Sequence, residues 1–167
     1  MKVKSEVFQK FQKYFSGKDL SFIMLQRENS EIERLAELLK KIDSEYLYPI
    51  EHEYKLNLYC EKLIYNAYNF MLKHKSNDIA VLSIYANNHE TKEAFTSTIG
   101  ILPSYRGGST AFSLVKFGIK FSKEKGMEVY KAEVSKKNVK WLSFLKRCKF
   151  EIESETNNNS YIIVRNL

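Results

Sequence analysis

Residues 102–112 read LPSYRGGSTAF. An apolar run precedes them. A run with Ala111, Leu114, Val115, Gly118 and Ile119 on one helical face follows. Between the two, Arg106 to Thr110 offer a cation, two glycines and two small hydroxyls. At a helix start about four main-chain N–H groups lack a helical acceptor. The macrodipole adds roughly half a positive charge there. Glycines let an anion approach the main chain closely. Strand, YRGGSTA and helix together predict a cradle for a phosphate group. The cradle is not a P-loop, because Gly108 stands where GxxxxGK[ST] needs its lysine, and no GxGxxG is present.

Outward from this stretch the chain alternates elements. Val7, Phe8, Phe11 and Phe15 have helix spacing, and DLSFIML (19–25) reads as a short strand. Ser30 and Glu33 form a capping box before Ile32, Leu35, Ala36 and Leu39, predicting a helix over 31–42. Pro49 interrupts the next segment, and Leu56, Tyr59, Cys60, Leu63 and Ile64 mark a further amphipathic helix. NFMLKHK and IAVLSIYA read as strands joined by a turn at Ser76-Asn77-Asp78. AFTSTIGIL is the next strand, with a bulge expected at Gly100. Gly126 ends the helix after the cradle; EVYKAEV is a strand, Asn138 to Cys148 a helix, and FEIES and YIIVR a closing hairpin. This order predicts an α/β (α+β) domain: a mixed, mostly antiparallel sheet of about six to seven strands flanked by helices.

The 167 residues fit one domain, and 44% hydrophobic content supports a sizeable core. No apolar run approaches a membrane span, and MKVKSEVFQKFQKYF has no secretory h-region. Cys60 and Cys148 lie far apart without a CxxC, which suits a reduced, cytoplasmic protein without a metal site. The net charge of +7 is spread along the chain without a run of five or six lysines, so no nucleic-acid stripe is expected.

IGILPSYRGGSTAFSLV resembles the acetyl-CoA-binding segment of the GCN5-related N-acetyltransferases (GNAT), whose signature is Q/R-x-x-G-x-G/A. Arg106 and Ala111 match it, and Ser109 stands where the family has its first fixed glycine. VSKKNVKWLSFLKRCKFEI is similar to the family as well, and the resemblance covers about 67–154. It implies one acetyltransferase-like domain over 1–167. Residues 1–66 would form the acceptor-side part, 67–154 the acetyl-CoA core and 155–167 a last strand.

The resemblance also implies roles. Ile99 and Ile101 would pair with the pantetheine arm, and an N–H beside the bulge would polarise the thioester carbonyl. The N–H groups of Arg106, Gly107, Gly108, Ser109, Thr110 and Ala111 would hold the pyrophosphate. Asn138 falls where a family asparagine bonds the cofactor; its local reading is a helix N-cap, and the two are compatible. The family often draws its acid from a tyrosine in an FYxxxGF-like stretch, but Leu145 holds that position and Lys149 that of the glycine. Ser143 or Tyr161 would then substitute, or water would suffice. Glu93 is the candidate base and His89 its alternative. On the acceptor side, Tyr48, Glu51 and His52 of SEYLYPIEHEY would attract and stack on an amine.

The expected function is acetyl transfer from acetyl-CoA, without metal, to a primary amine of an amino sugar, amino acid or polyamine. Acetylation of a protein N-terminus or lysine, or a non-catalytic acyl-CoA-binding module, are the alternatives. Expected partners are acetyl-CoA and the small amine, with neither nucleic acid nor membrane. Exposed aromatics on the first helix raise the expectation of a homodimer.

Overall fold

The computed structural model describes residues 4–42 and 53–167. The first helix, α1 (Glu6–Ser16), is capped by Ser5, whose Oγ accepts from the Phe8 N–H at 3.0 Å. Then follow β1 (Leu20–Met24), α2 (Asn29–Ile42), α3 (Glu53–Asn66), β2 (Tyr68–His74), β3 (Asn77–Asn88) and β4 (Glu93–Ile101). A short 3-10 turn, Pro103–Tyr105, leads to α4 (Thr110–Glu124), β5 (Val129–Ser135), α5 (Val139–Arg147), β6 (Glu151–Glu155) and β7 (Ser160–Asn166).

The strands form one seven-stranded sheet in the order β1-β2-β3-β4-β5-β7-β6. All neighbours are antiparallel except β4 and β5. A parallel pair needs a crossover, and α4 supplies it. The expected mixed, mostly antiparallel α/β sheet is the observed one. The N-terminal part contributes an edge strand, β1, and the last strand, β7, lies inside the sheet between β5 and β6.

Period-two alternation along β2 and β3 sorts side chains to two cores. Phe70, Leu72, Ala80, Leu82 and Ile84 join Phe15, Phe22, Phe117 and Phe121 under α1 and α4. Met71 and Val81 face the other way and join Leu35, Leu39, Leu63 and Ile64 of α2 and α3. The first core is rich in rings: Phe117 sits 4.6 Å from Phe70 and 4.8 Å from Phe22, both edge-on. Edge-on pairs add to the burial energy of each ring.

Several local expectations change. Helix α2 begins at Asn29, so Ser30 lies in its first turn instead of capping it. The β2–β3 turn falls at Lys75-Ser76, with Lys75 at φ +55°, one residue earlier than predicted. Of the α1 aromatics, Phe15 is buried and Phe8 and Phe11 pack on Phe22, Phe70 and Phe117, while Tyr14 stays exposed. Among the described residues, no helix is long and apolar enough to cross a membrane.

Candidate active site

Strands β4 and β5 begin as neighbours and then part. Their parallel register runs from Glu93↔Val129 to Thr96↔Ala132. Beyond it β4 continues to Ile101, and β5 continues to Ser135 paired with β7. The parting coincides with a bulge in β4. Ser83 pairs with Thr98 and Ile84 with Thr96, leaving Ser97 as the extra residue. The bulge is therefore at Ser97 and not at Gly100, which pairs regularly with Val81. Ser97 is not among the positive-φ residues, so a bulge here needs no glycine.

Register settles which groups face the gap. The Leu102 N–H donates to the Ile79 carbonyl at 2.8 Å, which makes 79/102 a hydrogen-bonded antiparallel pair. Alternation then turns Gly100 and Thr98 toward β3, and the main-chain groups of Ile99 and Ile101 toward the gap. The Ile101 carbonyl also accepts from Arg106 Nε at 2.8 Å. Arg106 is thus folded back to brace the strand end, and its N–H bonds Pro103 O at 3.3 Å.

The cradle follows. Gly107 sits at φ +86°, a conformation that favours glycine. A Cβ built on Gly108 would meet nothing within 4 Å. Ser109 is the α4 N-cap at φ −82°, ψ 0°, ordinary right-handed backbone that serine adopts without strain. Its side chain makes no capping bond, and its Oγ accepts from Lys18 Nζ at 3.0 Å. The first helical bond runs from the Ser113 N–H to Ser109 O at 2.9 Å. The N–H groups of Thr110, Ala111 and Phe112 precede it and so have no helical acceptor. Gly107 to Ala111 thus present an open, positively polarised main chain that fits a pyrophosphate.

Asn138 is the N-cap of α5, its Oδ1 accepting from the Trp141 N–H at 3.3 Å. Leu145 is a buried core residue, so no hydroxyl stands at that position of α5. Ser143 is exposed, and Tyr161 is half-buried on β7 with Lys136 Nζ 5.0 Å above its ring. Glu93 lies at the closed end of the β4/β5 pair, ion-paired to Lys131 at 2.7 Å. It is four residues, or about 13 Å of strand, from Ser97. His89 is exposed in the turn before β4. Tyr48, Glu51 and His52 lie outside the described residues.

One group that sequence reading treated only as a helix marker reaches the bulge. Tyr59, on α3, donates to the Ser97 carbonyl at 3.3 Å, meets Ser97 Oγ at 3.0 Å and also bonds Thr98 Oγ1. Two successive hydroxyls meet one phenol because a bulge turns both side chains to the same face. Tyr85 packs on that face too, its phenol held above its usual pKa by burial and then by Tyr59. Neighbouring Cys60 is raised to about 12 by burial, which leaves it an inert thiol at neutral pH. No local pattern marks Tyr59 beyond its place on the amphipathic face of α3.

The Acetyltransferase (GNAT) family sequence model matches residues 32–150. The chain belongs to the GNAT family. Its match spans α2 to the end of α5, the elements that carry the parted strands and the cradle. Members are acetyltransferases that use acetyl-CoA. Solved structures share the fold at low identity. The ribosomal-protein-S18-alanine N-acetyltransferase from Escherichia coli superposes with a TM-score of 0.68 at 13% identity, covering 87% of this chain and 93% of that one. The PaiA N-acetyltransferase from Thermoplasma acidophilum, in complex with coenzyme A, gives 0.67 at 15%, covering 88% and 99%. A mutant spermidine N-acetyltransferase from Vibrio cholerae gives 0.66 at 18%, covering 89% and 94%. No curated protein matches the sequence.

Proposed function

We propose that this GNAT chain transfers the acetyl group of acetyl-CoA to a primary amine on a small molecule, of the amino-sugar, amino-acid or polyamine kind. The observation that carries the reading is the parting of β4 from β5 at the Ser97 bulge, opposite the open cradle of α4. The gap-facing groups of Ile99 and Ile101 match a pantetheine amide chain, and Gly107 to Ala111 match a pyrophosphate. Asn138 keeps its amide hydrogens outside the α5 cap and so has a donor for the cofactor. In the reaction the amine nitrogen attacks the thioester carbon, a C–N bond forms and the C–S bond breaks. The amine loses a proton, and the departing thiolate gains one.

Small amines find support in the face that α2, α3, Tyr59 and Tyr85 build above the bulge. The spermidine enzyme with this fold acts on an amine of that class. The base expected at Glu93, or at His89, gains no support from the geometry, since both stand away from the bulge. For the proton returned to the thiolate, the Tyr59 hydroxyl is the group at hand in place of the missing α5 tyrosine. Replacing Tyr59 by phenylalanine should lower kcat about a hundredfold and leave KM for acetyl-CoA within about twofold. An unchanged kcat returns Tyr59 to bracing the bulge.

The primary test is thermal denaturation with acetyl-CoA, CoA and ATP. Coenzyme at a hundred times its Kd should stabilise the chain by about 2.7 kcal/mol, and ATP should not. An amine screen with thiol detection then identifies the acceptor. Absence of a shift with either coenzyme at millimolar concentration overturns the reading.

A further inference from the structure

Glu133, on β5, is the residue after the last paired position of the parallel strands, Thr96↔Ala132. Continuing that register puts it across the opening gap from Ser97, the bulge residue. Paired strands lie about 5 Å apart, and the gap opens from this position on. Alternation puts both side chains on one face of the sheet. Tyr130 and Val134 point into the core under α1 and α4, so Lys131 and Glu133 point the other way. Thr96 reaches Tyr130 on the α4 face, and Ser97 reaches Tyr59 of α3 on the opposite one. Glu133 and Tyr59 thus flank the bulge on one face, from the β5 side and from the α3 side.

The carboxylate is held in place from one side. Ser160 Oγ donates to Glu133 Oε1 at 2.5 Å, and Thr156 Oγ1 donates to the same oxygen at 3.3 Å. The two hydroxyls also bond each other. Both belong to the β6–β7 hairpin. Its turn fixes Thr156, whose Oγ1 accepts from the Asn158 N–H at 3.1 Å. Ser160 is fully buried and Glu133 half-buried. Neither hydroxyl takes Oε2, so that oxygen is left to accept from an incoming group. The lysines to either side are engaged by other glutamates. Lys131 pairs with Glu93 at 2.7 Å and Glu153 at 3.2 Å, and Lys136 with Glu155 at 2.5 Å. Glu133 therefore keeps its negative charge for a cationic acceptor.

We propose that Glu133 is the base of the transfer, receiving the proton of the acceptor amine, and that Ser160 and Thr156 of the β6–β7 hairpin position it. This rests on the acetyl-transfer reading above. Glu93 stands at the closed end of the strand pair, whereas Glu133 stands where the pair opens. The acceptor arrives as an ammonium ion, drawn by the carboxylate. Of the two protons it must lose, the first passes to Glu133 Oε2 and on to solvent. The freed lone pair forms the C–N bond, and the C–S bond breaks with its electron pair going to sulfur. The Tyr59 hydroxyl protonates the thiolate and is restored by the second amine proton. Base and acid are thus separate groups on opposite sides of the bulge.

The test is steady-state kinetics of the full chain with acetyl-CoA and spermidine, glucosamine or lysine as acceptor. The chains compared are the wild type, Glu133→Gln, Ser160→Ala and the double variant. Glutamine has the shape of glutamate and still accepts from Ser160, so the hairpin stays closed. Glu133→Gln should lower kcat at neutral pH about a hundredfold. KM for acetyl-CoA should stay within about twofold. The loss should shrink as pH nears the pKa of the amine itself, where solvent supplies the neutral nucleophile. Ser160→Ala should cost about tenfold in kcat. The double variant should lose no more than Glu133→Gln alone, because Ser160 acts through Glu133. An unchanged kcat in Glu133→Gln overturns the assignment and leaves the acetyltransferase reading standing. Losses that multiply in the double variant overturn the positioning role. A wild type that binds CoA and acetylates none of the three amines overturns the small-amine reading, and this assignment with it.

Discussion

Gly108→Glu should weaken acetyl-CoA binding about a hundredfold, or ~2.7 kcal/mol, while leaving the melting temperature of the unliganded chain nearly unchanged. The two halves of this expectation have separate causes. Gly108 has no positive φ, and a Cβ there meets nothing within 4 Å, so the folded chain accepts a side chain. The same open space is where the main-chain N–H groups ahead of α4 would receive an anion. A carboxylate placed there occupies the cradle and repels the pyrophosphate. Gly107 would be a poorer probe, because its φ of +86° would add backbone strain to any loss of binding. Titration of acetyl-CoA into Gly108→Glu, beside thermal melts of the apo chain, makes the check. Unchanged affinity would show that the coenzyme does not use this loop.

Gly118→Ala, a single methyl, should lower stability by about 2 kcal/mol net and Tm by about 4–8 °C. Helix propensity alone favours the substitution by about 1 kcal/mol, so the sign depends on which effect wins. Overlap wins here. The added Cβ would lie 2.4 Å from the Tyr130 hydroxyl oxygen, 3.2 Å from its Cζ and 3.3 Å from Ile84 Cδ1. The ring cannot swing away, because Tyr130 is 3% exposed and its hydroxyl bonds Thr96 of β4. Burial pushes that phenol well above its ordinary pKa, so it stays neutral and relief by ionisation is closed. Tyr130 also pairs with Ala94 in the short parallel segment that precedes the gap. The strain therefore falls where the two strands are clamped. Adding Tyr130→Phe removes the clashing oxygen and should recover part of the loss, less the cost of an unpaired Thr96 hydroxyl. A Gly118→Ala chain as stable as wild type would show that α4 can lift off the sheet at no cost.

Much of this arrangement is local and so legible in the chain. Alternation along β2 and β3 names both cores. Helical spacing names the inward faces of α2 to α5. Arg106 to Thr110 between strand and helix announces an anion cradle, because main-chain polarity at a helix start and glycine conformation are properties of neighbouring residues. Ser109, in a position the family fills with glycine, carries no backbone strain, for a local reason: its backbone is right-handed.

What the tertiary structure decided involves partners far apart in sequence. The bulge sits at Ser97 and not at Gly100 because β3 and Tyr59 impose the register and satisfy two hydroxyls at once, and Tyr59 is 38 positions away. The parting of β4 from β5 coincides with the bulge in β4, while β5 stays paired with β7 along its whole length, an arrangement set across the sheet. The inward turn of Phe8 and Phe11 on α1 depends on Phe22, Phe70 and Phe117 lying under them. Glu133 meets Ser160 and Thr156 only because β7 lies between β5 and β6. Hydrophobic period and backbone conformation are written residue by residue. Strand partner and register arise from packing energies summed over the whole core, and so the sequence by itself determined the elements and the cradle, while the gap, the bulge hydroxyl and the carboxylate across from it waited for the fold.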